Sequence, residues 1–79
     1  MSEKELKEYH ILFTTFWKIF HKYSSFTGAD TDQFWSDLVN DTSAAYQELR
    51  NIDKDLAYRL AVATIIAIQD IYRRKSDAA

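Results

Sequence analysis

Proline is absent from the sequence and glycine occurs once, at Gly28. These two residues are the strongest interrupters of helices, so a chain nearly free of them has little other than helix open to it. No segment alternates apolar and polar residues with a period of two, which argues against strands. The expected fold class is all-α, a compact three-helix bundle in a single domain spanning 1–79. The first helix opens on a capping-box pattern, Ser2-x-x-Glu5, and is predicted to run over about 3–26. Thr27–Asp30 forms the break, with Gly28 suited to a left-handed C-cap. The second helix is predicted over about 31–50, capped by Asp30 or Thr31. Asn51–Asp53 makes a short corner at which Asn51 or Asp53 caps a third helix over about 53–75. Residues 76–79 are expected to fray.

Placed at about 100° per residue, the three helices present different faces. In the second, Phe34, Trp35, Leu38, Val39, Thr42, Ala45, Tyr46 and Leu49 fill one arc and polar residues the other. The first carries a main stripe of Leu6, Tyr9, Leu12, Phe13, Phe16, Ile19, Phe20, Tyr23 and Phe26, with Ile11 pointing nearly opposite the core. The third is apolar over far more of its circumference than the stripe of somewhat over ~100° that a peripheral helix needs, and Val62 and Ile66 intrude on its polar wedge. That excess, beside the small residues Ala57, Ala61, Ala63 and Ala67, predicts self-association through the third helix.

Size sharpens the expectation. A chain of 79 residues buries only roughly 60–65% of the surface that its unfolded form exposes. Without cysteine it has neither disulfides nor thiolate metal sites to reinforce the core, which fits a reducing compartment. Two Trp, five Tyr and five Phe make aromatic packing and association the remaining stabilisers. A net charge of −2 argues against general nucleic-acid binding. Met1–Lys7 is polar where a secretory signal is apolar, and no apolar run approaches the ~20 residues of a membrane span. A cytoplasmic protein without membrane association is expected.

Several constellations invite chemistry. His10, Thr14, Trp17 and His21 form a line beside the main stripe of the first helix, at i, i+4, i+7 and i+11. Trp17 could stack on a planar group while the imidazoles donate hydrogen bonds; a boundary stripe covered by a neighbouring helix has the same spacing. The two histidines stand about 16 Å apart along the axis, too far to share a metal. Asp37, Asp41 and Glu48 share a line on the second helix, but hard cations want oxygens converging from several elements, and a solvated acidic face is the simpler reading. Arg73-Arg74-Lys75, with Arg59 earlier on the same helix, could grip phosphate, although a basic last turn also complements the helix dipole. No Gly-rich phosphate loop, cysteine nucleophile or oriented Ser–His pair is present, so no catalytic residue, metal ligand or cofactor is expected. The Asn51–Asp53 corner has the length of a helix-turn-helix, but the third helix is too apolar to lie in a DNA groove.

The aromatic first helix (Tyr9, Phe13, Phe16-Trp17, Phe20, Lys22-Tyr23), the Phe34-Trp35 pair and the apolar third helix ending in Arg-Arg-Lys together resemble a group of small, mostly uncharacterised prophage-encoded proteins of Gram-positive bacteria. The resemblance spans roughly residues 8–75 and is one of size and pattern. It implies a phage accessory role, in which compact helical proteins block a host protein or, as oligomers, sequester a nucleotide signal. The sequence therefore leads to a non-enzymatic, homo-oligomeric binding protein that inhibits or sequesters a host defence component. For a sequestering role, Trp17 and Tyr72 are the stacking candidates, and His10, His21, Lys22, Arg59, Arg73 and Arg74 the phosphate or hydrogen-bond donors. The alternative is a small DNA-associated or transcription-related phage protein.

Overall fold

A computed structural model describes residues 1–78 of the chain. It contains three helices, α1 (Glu3–Tyr23), α2 (Asp32–Leu49) and α3 (Lys54–Ala78), and among the described residues no strand. Each helix packs against both others, forming a bundle 47 × 21 × 17 Å in extent. Tyr9 of α1 meets Asp53 at the start of α3, and Phe26 just beyond α1 meets Tyr72 near the end of α3. α1 and α3 therefore run parallel, with α2 antiparallel to both.

Caps set the helix starts. Ser2 and Glu5 exchange both hydrogen bonds of a capping box at 3.2 Å each, satisfying two backbone donors that helix geometry leaves free. At α3, Asp53 accepts the Leu56 backbone N–H at 3.0 Å and the Tyr9 hydroxyl at 2.8 Å, so one carboxylate caps α3 and ties it to α1. Both bonds favour the ionised acid, and the Leu56 amide, the larger influence, holds the Asp53 carboxyl below its usual range. At α2 the N-cap is Thr31, yet its hydroxyl donates back to Gly28 O at 2.6 Å instead of accepting from the helix. It closes the preceding loop and leaves the helix start uncapped by a side chain.

α1 stops at Tyr23, three residues before the predicted end. The Ser24 hydroxyl donates to His21 O at 2.7 Å, and the chain continues in successive turns from Phe26 N to Tyr23 O and from Ala29 N to Phe26 O. Phe26 takes φ +58°, rare for a bulky side chain, which carries its ring onto Phe34 and Tyr72. Gly28 does adopt the left-handed region, at φ +81°, but inside this loop; the C-cap position belongs to Ser24. α3 continues past Lys75, so Ser76–Ala78 are helical where fraying was expected. Ala79 lies outside the described residues.

The core divides along the axis. At one end Leu12, Phe16, Ala45, Leu49, Ala57 and Ala61 pack together; at the other, Tyr23, Ala29, Phe34, Leu38 and Ile68 do. Thr42, fully buried in α2, shares its single hydroxyl proton between Leu38 O and Val39 O at 3.0 Å each, so the donor is not left unsatisfied. Tyr23 is buried with its hydroxyl donated to Asp41, which also holds Lys22 at 2.8 Å. Burial and this bond push the Tyr23 hydroxyl up to about 12, and Lys22, then Tyr23, hold Asp41 below the usual carboxylate range. The acidic line of α2 is thus not simply solvated: Asp41 fastens α2 to α1.

Three residues assigned to buried stripes are open to solvent: Leu6 at 62% exposure, Phe13 at 52% and Val39 in α2. α1 has more apolar circumference than two neighbouring helices cover, so the flank of its stripe stays outside.

Candidate interaction face and cleft

The flank of α1 that remains open lies beside α3. Phe13, Trp17 and Phe20 line one wall of a groove of about 270 Å³, while Leu60, Ala63 and Ala67 of α3 line the other. The cause is local: Ala63 and Ala67 are too short to reach across to the α1 rings, so the aromatic side stands up as a ridge and the alanine side sinks. Trp17, at the crest, is 60% exposed and lies nearly parallel to Phe20 with ring centres 5.7 Å apart. Towards the N-terminus the groove runs into a second apolar hollow that shares Phe13 and adds Met1, Leu6, Tyr9, His10 and Leu56. On the outer side of α3, Ile66 is 48% exposed.

The residues nominated from sequence are distributed over several surfaces. Trp17 lines the α1/α3 groove, His10 lines the adjoining hollow, and His21 stands beside Trp17. His10 Nε2 pairs with the Thr14 hydroxyl at 3.4 Å, and the His21 ring is tilted against Trp17 at 6.3 Å. Trp17 is open to solvent, so within one protomer no neighbouring helix covers it. Lys22 points to the α1/α2 side, where Asp41 engages it. Arg59 is exposed near the start of α3, close enough to help hold the Asp53 carboxyl below its usual range. Arg74 is exposed near the other end of the same helix.

Tyr72 and Arg73 do come together, with a residue that the sequence had placed simply in the core. A cleft of about 420 Å³ between α2 and α3 is lined by Trp35, Gln69, Tyr72, Arg73, Ser76 and Asp77. The Trp35 indole donates to Ala29 O at 2.9 Å, which fixes its ring, and Tyr72 meets it edge-on at 5.4 Å. Two half-buried aromatic rings thus stand beside an exposed guanidinium. The antiparallel pairing of α2 and α3 was the signal for Trp35: the start of one helix must lie against the end of the other, next to Tyr72 and Arg73.

Among the described residues no cluster of acidic or histidine side chains has metal-binding geometry, and no helix is long and apolar enough to cross a membrane. No protein-family model, curated protein or solved structure matches the chain.

Proposed function

We propose that the protein is a non-enzymatic, self-associating binding protein whose association surface is the apolar face between α1 and α3. The observation that carries this reading is the pair Phe13 and Trp17, both more than half exposed, standing over the short side chains Ala63 and Ala67. Large contiguous apolar patches are uncommon on monomers and mark interaction sites. The face extends the association expected of α3 to include α1. Sedimentation equilibrium at micromolar concentration tests it: a dimer or larger species is expected, and a monomer at ~100 μM refutes it.

A second component of the reading concerns what the assembly binds. The Trp35–Tyr72–Arg73 cleft favours a small planar anion, because aromatic rings supply stacking surface and a guanidinium pairs with phosphate. Together with the resemblance to prophage proteins, this supports a cytoplasmic phage accessory factor that sequesters a host nucleotide signal. Mass spectrometry of small molecules released from natively purified protein tests it, with Arg73→Ala as the control that should lose the ligand. The DNA-associated alternative has less support, since a pI near 5.5 makes the chain acidic overall. Retardation of random duplex DNA would favour that alternative.

A further inference from the structure

The face between α1 and α3 leaves large aromatic side chains open to solvent. Phe13 and Trp17 together leave about 250 Å² of ring open, from their exposures and the ~150–250 Å² an aromatic side chain can bury. Leu6 and Phe20 of α1 and Leu60, Ala63 and Ala67 of α3 extend the apolar area to roughly 500 Å². Rim residues bring it near the ~800 Å² per partner of a standard interface. The middle of the face carries no charge, and its relief has two parts: the aromatic ridge on α1 and the alanine depression on α3. A flat apolar partner would leave the depression empty. A second copy brings the ridge that fills it.

We infer that the chain forms a two-fold dimer whose axis runs along the α1/α3 groove, so that α1 of each copy covers α3 of the other in parallel. This rests on the self-association proposed above and specifies its geometry. Because α1 and α3 lie side by side and parallel, two in-plane two-folds keep the helices of both copies aligned over their whole length. An axis across the groove sets α1 on α1, ridge against ridge, and leaves the alanines facing each other over a void, forfeiting their contacts. An axis along the groove keeps every residue at its own level. Trp17 already stands level with Ala63 and Ala67 in its own protomer, so the same indole of the second copy comes down on them. Asp70, one turn further along α3, then sits beside His21 of the second copy, giving the apolar contact a polar margin.

Two sets of measurements on the full chain test this. Trp17→Ala removes the ridge and Ala63→Leu fills the depression, both at exposed positions, so circular dichroism should remain helical. Each should weaken dimerisation by on the order of a hundredfold in sedimentation equilibrium, as loss of a central aromatic anchor does. The chain has no cysteine, so spin labels can be placed singly at Lys4→Cys, Ile11→Cys and Lys18→Cys, exposed sites two turns apart on α1. A parallel two-fold gives three similar inter-protomer distances by pulsed electron resonance. Any antiparallel pairing forces axial offsets that differ by about 20 Å between at least two of them, at ~1.5 Å rise per residue. A dimer with unequal distances, or one indifferent to both substitutions, overturns this arrangement while leaving self-association standing. A wild-type monomer overturns both.

Discussion

Replacing Trp17 by alanine separates stability from assembly, and the two costs can be estimated from exposure. With 60% of its surface open, the side chain hides about two-fifths of at most ~250 Å², or roughly 100 Å², within its own protomer. At ~25 cal/mol per Å² this is about 2.5 kcal/mol, and compactness of the unfolded chain reduces it to about 1.5–2 kcal/mol. A domain of this length is stable by about 4–12 kcal/mol, so the variant should remain folded. The assay is urea denaturation at two protein concentrations, one below and one above the dimer dissociation constant. In the dilute sample Trp17→Ala should lose about 1.5–2 kcal/mol. In the concentrated sample the loss should be larger, because the wild type alone gains from association. A dilute-sample loss of ~4 kcal/mol, the cost of a cavity left by a fully interior aromatic, would show that the indole is core and refute the surface reading.

Three other perturbations test the scaffold. Leu38→Ala, at a fully buried site in α2, should cost about 3–5 kcal/mol in denaturant unfolding. Gly28→Ala should cost about 1–2 kcal/mol through backbone strain alone at φ +81°, since an added Cβ meets nothing closer than the Thr31 hydroxyl at 3.9 Å. Asp41 has its folded pKa depressed, so its contribution is complete above about pH 3.8 and lost as pH falls through the lower folded value. Tyr23 has its pKa raised from 10.0 to about 12, so its contribution is complete below about pH 10 and lost as pH climbs towards 12. Melting temperature against pH should therefore fall at both ends, and Tyr23→Phe should flatten the alkaline limb.

How much the sequence revealed depended on whether a feature was local. The Ser2–Glu5 box is settled within a few residues and the structure keeps it, and of the two caps that the corner offered, Asn51 and Asp53, the structure uses Asp53. The end of α1 was not readable. Ser24 and Phe26 continue a helical pattern, whereas in the fold the chain turns after Tyr23 and brings the Phe26 ring onto the distant Phe34 and Tyr72. Periodicity likewise put Phe13 in the buried stripe because it reports which face is apolar, without reporting how much of that face the neighbours cover. Asp41 looked like one member of an exposed acidic line until the fold brought Tyr23 and Lys22 to it from α1.

The alanines of α3 tie these features together. On the side facing the interior, Ala57 and Ala61 let α3 approach closely and are buried by α1 and α2. On the side facing the groove, Ala63 and Ala67 have the same short reach, but no third helix closes over them. One substitution pattern therefore makes both a tight bundle and an unfilled surface, and a larger residue at 63 or 67 would close the groove from within. In the proposed dimer α1 of the second copy closes it instead. That arrangement uses the α1/α3 side and leaves the Trp35–Tyr72–Arg73 cleft, on the α2/α3 side, open in both copies. Assembly and ligand capture then occupy different faces, so Ala63→Leu should yield a monomer that retains the cleft and whatever binds there.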